Sequence, residues 1–412
     1  MTGPAPSSLW SVLARNRDFR LFWAGNLVSS AGVWMQNLAQ GWLLLELTDS
    51  PWLLGVAGFA LLSPTLALSL VGGAVADRAD RRRILIATQT TLMLLALALG
   101  ALTSVHLITA PIVLGIVFLN GVAVALNSPA YQAAIADLVP AADLSRALAL
   151  NSIQFNVARV AGHALAGVLV VRIGAAGCFY INASTYVVML YALWHVRLAS
   201  RHIVRDAAPF WTRVREGIGY AKGNRTARNL IATTATMSLL GLPYFILLPA
   251  FSRDVLGEDA GRLGYLMASV SAGALAGGLV AARIGERFGK ERTIAAGALT
   301  FWIALLAFSG SRHYVLSVCL LMAVGFALVS TVVTVNNVLQ VATAPGMRGR
   351  IMSIYTMALN GLAPIGSLLA GALAERFSTA MAVGGMAVAG LAVALVLTIK
   401  LLKRPESALQ FS

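Results

Sequence analysis

Long uncharged runs, each about the length of one bilayer crossing, alternate with short clusters of charge along this chain. A helix needs about 20 apolar residues to span the hydrocarbon core. Stretches of that size stand at 21–45, 50–76, 147–171 and 173–196, and the interval 84–136 holds two more, with a break near 106–111. After an arginine-rich stretch at 197–228 the runs resume at 229–252, 263–282, 293–311, 313–347, 351–374 and 377–399. The pattern predicts an all-α integral membrane protein: 12 transmembrane helices in two six-helix bundles, residues 1–196 and 229–412, joined by a linker at 197–228. Within that linker, the alternation of apolar and basic residues at 209–224 predicts a short amphipathic helix on the membrane surface, most simply a tether between the halves.

Polar residues inside the runs fall at helical spacing. In the first span Asn26, Ser30 and Asn37 form one stripe, and Ser29, Gln36 and Gln40 a second. The fourth carries Asn120, Asn127 and Tyr131, and the tenth Ser330, Thr334 and Asn337. Such stripes suit a cavity wall or hydrogen bonds that hold helices together. Arg159 is the one basic side chain deep in a run. A charge at mid-membrane costs roughly 3 kcal/mol on insertion scales, so it must face protein, water or a ligand. No acid lies deep in any span, which leaves backbone carbonyls, Asn156 or a substrate anion to meet it. His163 stands four residues on, on the same helical face. It is either a proton carrier, since imidazole exchanges protons near neutral pH, or a neutral histidine bonded between helices. Glu46 and Asp137, near span ends, are the other coupling candidates.

Composition agrees with lipid as the solvent: 58% of the 412 residues are hydrophobic, 11% are charged, and the mean hydropathy is +0.79. A net charge of +15 would suit nucleic acid if the basic residues shared one face. They are instead sorted by side. With the N-terminus in the cytoplasm, 25 of the 31 Lys and Arg fall on that side and five on the other. That bias predicts both termini inside, in a plasma membrane, and no nucleic-acid partner. The first 20 residues lack the apolar core of a cleavable signal. Cys178 and Cys319 both sit in apolar runs, which argues against a disulfide framework or a metal centre. The sequence around Arg283 and Arg287 has neither the preceding strand nor the Gly-Lys-Ser/Thr of a phosphate loop. No enzyme chemistry and no cofactor is therefore expected.

The halves repeat. Residues 144–174 lie over 348–378 at an offset of 204, so that Arg146 meets Arg350, Gly162 meets Gly366, Gly167 meets Gly371, and Arg172 meets Arg376. At a similar offset Gly72 and Gly73 meet Gly277 and Gly278. Duplicated bundles are the mark of secondary transporters, whose halves rock about a substrate at their interface.

Residues 72–83, GGAVADRADRRR, resemble the loop between the second and third helices of the major facilitator superfamily, Gly-x-x-x-Asp-Arg-x-Gly-Arg-Arg. Gly73, Asp77, Arg78, Arg81 and Arg82 match it, and Asp80 replaces its second glycine. If that position requires positive φ, Asp is a tolerable substitute. The second-half copy keeps Gly278 and Gly285 but has Ala282 in place of the acid. The opening NRDFRLFWAGNLVSSAG and the segments LVPAADLSRALALNS and ARVAGHALAG are similar to the enterobactin-exporter-like branch of drug and siderophore efflux proteins. The stretch from Ala158 to Gly167 resembles the antiporter signature of the fifth helix, with His163 where that signature has proline.

The resemblance implies a gate in which Asp77 latches one side of the protein against a facing helix end, near Arg146 or Arg350, while Arg78, Arg81 and Arg82 share gating with topology. It also places the first, fourth, seventh and tenth helices around the cavity. Substrate and coupling candidates are then Arg159, His163, Asn26, Ser30, Gln36, Asn37, Asn127, Tyr131, Thr334 and Asn337. The expected function is export of a small amphiphilic or anionic molecule by a monomer that draws on the proton gradient and contacts membrane lipid. A lipid or lysophospholipid flippase of the same fold is the first alternative. A non-transporting scaffold or sensor is the second, and the repeat and polar stripes weigh against it.

Overall fold

The structure, a computed structural model, describes residues 9–78, 80–198, 219 and 223–402; the side chains of 69–78, 282 and 345 are not part of that description. The linker helix expected at 209–224 therefore lies almost wholly outside the described residues. Among those residues, all regular structure is helical.

The first half contains α1 (Ser11–Arg15), α2 (Arg17–Thr48), α3 (Pro51–Arg78), α4 (Arg81–Ser104), α5 (Ala110–Asp137) and α6 (Leu144–His195). The second contains α7 (Arg225–Thr236), α8 (Tyr244–Ala250), α9 (Ala260–Phe288), α10 (Lys290–Gly310), α11 (Tyr314–Ala342), α12 (Pro345–Gly361), α13 (Ala363–Arg376) and α14 (Thr379–Leu402). Among the described residues, ten helical stretches are long and apolar enough to cross a membrane. Two features separate this number from the twelve expected spans. The 32-residue α2 carries so many amides and hydroxyls, among them Asn26, Gln36, Asn37 and Gln40, that its hydropathy falls short. The expected fifth and sixth spans run together as α6, whose two lengths meet at Gly174, with φ 69° and ψ 178°. Only glycine takes that conformation without strain.

Helix breaks follow the chemistry of the backbone. Residues 237–241 and 251–255 form two π-helical turns flanking α8, closed by Leu242 N–H to the Met237 carbonyl at 2.8 Å and Leu256 N–H to the Phe251 carbonyl at 3.2 Å. Pro243 and Pro249, which have no N–H to donate, stand next to these turns, and the wider i→i+5 bonds take up the mismatch. Pro364 divides the expected eleventh span into α12 and α13 in the same way.

The chain divides into two compact units, Met1–Leu43 with Pro64–Arg205, and Leu44–Ser63 with Asp206–Ser412. Residues 44–63, read from the sequence as part of the first bundle, pack with the second unit. In the first unit, Phe19, Phe22, Leu85, Ala134, Leu150, Met189 and Leu193 form a buried cluster. In the second, α9 and α11 pack backbone to backbone. A side chain at Gly273 would strike the Met322 carbonyl, one at Gly277 the Phe326 carbonyl, and one at Gly325 the Val270 carbonyl. Lipid supplies no hydrophobic drive between helices, so close approach of small residues replaces it.

Candidate functional site

The turn between α3 and α4 is built from charges with assigned tasks. Asp80 is the N-cap of α4, with φ −61° and ψ 113°, and its carboxylate accepts the Arg82 backbone N–H at 2.9 Å. Positive φ is thus not required where the superfamily pattern has its second glycine, because that residue stands just before a helix start. Arg81 is buried and paired with Asp137 at the end of α5, at 2.5 Å. Breaking one partner of such a buried pair typically costs about 3–5 kcal/mol, because the survivor keeps an uncompensated charge. Arg82 donates to the carbonyls of Leu193 (3.0 Å) and Trp194 (2.6 Å), groups that the end of α6 leaves without helical partners. Arg83 points outward, 3.8 Å from Asp80. Gly73, Asp77 and Arg78 lie where side chains are outside the description. Of the two arginines expected to face Asp77, Arg146 pairs with Asp143 at 3.0 Å, and Arg350 donates to the Met347 sulfur at 3.1 Å.

In the second-half copy, Gly285 is inside α9, and the turn falls later, at Gly289, with φ 85°. The two loops match in sequence around Gly73 and Gly278 but not in where their helices end.

The polar stripe of α2 bonds to other helices. Asn26 Nδ2 donates to Tyr131 Oη and to Gln154 Oε1, each at 2.7 Å, and Tyr131 Oη donates to Asn151 Oδ1 at 2.5 Å. Gln154 reaches Ser30 Oγ at 3.4 Å. One network thereby ties α2, α5 and α6 together. Farther along, Asn182 Nδ2 donates to Gln36 Oε1 at 2.6 Å, and Asn127 Nδ2 to Thr88 Oγ1 at 2.7 Å. Asn37 is half-buried on α2. Thr334 is buried and bonded to the Ser330 carbonyl in its own helix, whereas Asn337, one turn on, is exposed.

Arg159 and His163 sit where α6 meets α2. Gly162 makes this approach possible, since a side chain there would strike the Ala31 carbonyl and Trp34. His163 is fully buried, its ring tilted against Trp34 at 5.3 Å. Arg159 is half-buried, its guanidinium 5.8 Å from the Trp34 ring centre and 5.9 Å from that of Phe155. Its Nη2 donates to Asn156 Oδ1 at 3.2 Å.

A further polar cluster joins residues 44–63 to the rest of the second unit. Arg253, in the π turn after α8, bonds Asp49 and Asp254 at 2.7 Å each and the Leu45 carbonyl at 3.4 Å. Glu375 on α13 accepts from the Ser50 hydroxyl at 2.8 Å and the Trp52 N–H at 3.1 Å. Asp49 has φ 50°, in the left-handed region that short polar side chains tolerate. Between these contacts Gly55 and Gly371 meet, so that a Cβ on Gly55 would stand 2.9 Å from the Gly371 Cα. Sequence reasoning missed this cluster; the only trace of it was single charges at span ends.

Duplicated helices with an arginine at the meeting of α2 and α6 suit solute transport, and comparison with known proteins agrees. The family model described as transmembrane secretion effector matches residues 7–411. This chain belongs to that family of major facilitator transporters. The transporter is 25% identical to the staphyloferrin A transporter of Staphylococcus aureus, over 92% of this chain and 94% of the relative. It is 24% identical to the multidrug efflux pump Tap of Mycobacterium tuberculosis, over 85% of each. The crystal structure of the nucleoside transporter NupG shares its fold, with a TM-score of 0.73 at 13% identity, over 94% of this chain and all of that one. The transporter is a multi-pass membrane protein.

Proposed function

We propose that this transporter exports a small amphiphilic or anionic molecule from the cytoplasm, driven by the proton gradient. In this reading twelve helices form two six-helix bundles, residues 1–196 and 229–412, with both termini in the cytoplasm, and the chain works as a monomer. The observation that carries the proposal is the exposed face of α6 that ends at Arg159, a cation kept within an apolar helix at the cost of its desolvation. The multidrug efflux pump among its relatives supports the export direction. The α3–α4 turn acts as the gate: Asp77 latches it, while the Arg81–Asp137 pair and Arg82 hold it to the ends of α5 and α6. The fully buried His163 serves as packing beneath Trp34.

The test is efflux from cells expressing the chain, preloaded with a panel of fluorescent amphiphiles. Expression should lower retention of at least one probe, and a protonophore should restore it. Retention equal to that of cells carrying an empty vector, for every probe, would refute export. Efflux indifferent to the protonophore would refute the proton drive.

A further inference from the structure

Where α7, α10 and α14 meet, the side chains of the second unit leave a cleft of about 270 Å³, open on one side. The space exists because Ala295, Ala298 and Ala394 present no bulk at the junction. Leu230 and Ile294, both buried, complete its apolar wall, and the half-buried Asn229, Leu397 and Leu401 place its mouth between α7 and α14. Threonines elsewhere in these helices and in α11 return their hydroxyls to the carbonyl four residues back, as Thr233, Thr331 and Thr334 do. Thr398 does not. It lines the cleft at 9% exposure, and neither its hydroxyl nor the Asn229 amide has a hydrogen-bond partner among the described residues. A polar group withdrawn from water without a partner is destabilising, and a ligand that bonds it reverses that loss.

The cleft has a definite depth. Asn229, Ile294 and Thr398 each stand four residues in from a helix end, at Arg225, Lys290 and Leu402, which is about 6 Å of helix rise. The polar layer on each side of a bilayer is about 5–7 Å thick, so the rim lies where glycerol backbones join acyl chains. All the charges of the three helices gather at this end: Arg225, Arg228, Lys290, Arg292 and Lys400, against the single acid Glu291. α7 has no acid in its first turn, so its arginines stand at the positive end of the helix dipole, where an anion is favoured. Helical side chains lean toward the N-terminus. Lys400 therefore covers the turn at Val396 and Leu397, on the rim, while Arg225, one turn before Asn229, reaches outward into the polar layer. Beside the mouth, Val393, Val396 and Ile399 of α14 are exposed, as positions against lipid tails should be.

We infer that this cleft binds one anionic phospholipid: its glycerol oxygens meet Thr398 and Asn229, its phosphate lies among Arg225, Lys290 and Lys400, and its tails run along the exposed valines of α14. Basic recesses between helices at the bilayer surface are suited to such headgroups. The size of the cleft favours a lipid over a transported solute. Pockets that enclose a drug-sized ligand measure about 300–1,000 Å³, whereas this one holds only part of a molecule whose remainder lies in the bilayer. A soluble phosphate ester offers the same anion but leaves the apolar wall uncovered. The site needs only that the three helices span a membrane, so it stands whatever solute the chain moves and in whichever direction.

The full chain, stripped of co-purified lipid in detergent, is titrated with dioleoyl-phosphatidylglycerol and with dioleoyl-phosphatidylcholine, and bound lipids are counted by native mass spectrometry. One phosphatidylglycerol should bind ahead of the rest, at least tenfold more tightly than the first phosphatidylcholine. Arg225→Gln and Lys400→Gln should each weaken it about fivefold. Thr398→Val leaves every charge in place and should weaken it several-fold. Arg283→Gln with Arg287→Gln, on α9 at the same end of the unit but outside the cleft, should leave the first phosphatidylglycerol unchanged. Equal affinity of the parent chain for the two lipids overturns the site and needs no variant. A loss in the α9 variant as large as in Lys400→Gln would mean a diffuse basic surface, and overturns the cleft. Full phosphatidylglycerol affinity in Thr398→Val overturns it equally. Displacement of the bound lipid by an equal concentration of glycerol phosphate would assign the cations to a soluble anion and overturn the lipid.

Discussion

Asp80 shows how one residue can depart from a family pattern and keep the structure. The superfamily has glycine at this point, and the obvious inference is a left-handed backbone. In the structure the residue is an N-cap with φ −61°, and its carboxylate accepts from Arg82 N–H. Glycine and aspartate are both good caps, whereas alanine is poor, because it neither satisfies the first N–H groups nor frees the backbone for water. Thermal unfolding in detergent should therefore rank Asp80→Gly within a few tenths of a kcal/mol of the parent, and Asp80→Ala about 1 kcal/mol below it. Equal loss in both variants would mean that the carboxylate acts through its charge on neighbours such as Arg83, and not through the cap. Tyr131 and Asn26 make a different point. Each is a candidate for a cavity wall, and Asn26 bonds both Tyr131 and Gln154, so that the contacts span three helices. A stripe of polar residues fixes which helix face is polar, and only the neighbouring helix decides whether that face meets water or another amide.

At the scale of elements, glycine sets the distances between helices. α9 and α11 touch through Gly273, Gly277 and Gly325, whose missing side chains admit the carbonyls of Met322, Phe326 and Val270. Gly278 is different, since a Cβ there would meet only Val329, at an ordinary 3.5 Å. Gly325→Leu should sharply reduce the yield of monodisperse protein in detergent, by forcing the two backbones apart. Gly278→Ala should leave the elution profile unchanged. Matching losses in the two variants would show that helix propensity, and not close approach, governs this pair. The π turns beside Pro243 and Pro249 also belong to this scale. Proline is visible in sequence, but whether a helix answers it with a kink or a wider turn depends on what packs around the freed carbonyls.

At the scale of the whole molecule, the division into units does not follow the sequence repeat. Residues 44–63 pack with the second unit through Arg253–Asp49, Glu375–Ser50 and the Gly55–Gly371 contact. The Arg253–Asp49 ion pair and the Glu375–Ser50 hydrogen bond are partly exposed, so each contributes at most about 1 kcal/mol. In a background with Cys319→Ser, a cysteine placed at the buried Leu54 reports on this contact. Adding Arg253→Gln and Glu375→Gln should speed its labelling by a maleimide several-fold while the melting temperature moves little. Unchanged labelling would show that glycine packing alone holds residues 44–63 in place.

The positions of the apolar runs, the clustering of the basic residues between them, the repeat at an offset of 204 and the isolation of Arg159 were all legible along the chain. These are consequences of the solvent: lipid admits long uncharged helices and penalises a buried charge wherever the helix later packs. Asp137 and Arg81 stand 56 positions apart, and Arg253 and Asp49 more than 200, so their pairing was not legible. The same holds for Trp34, an ordinary aromatic in an apolar run until Gly162 brings it against Arg159. The sequence by itself determined where the apolar runs lie and which of them carry charge. Only the tertiary structure decided which charge meets which partner, because hydrogen bonds and ion pairs act over a few ångströms, and that proximity is set by helix packing.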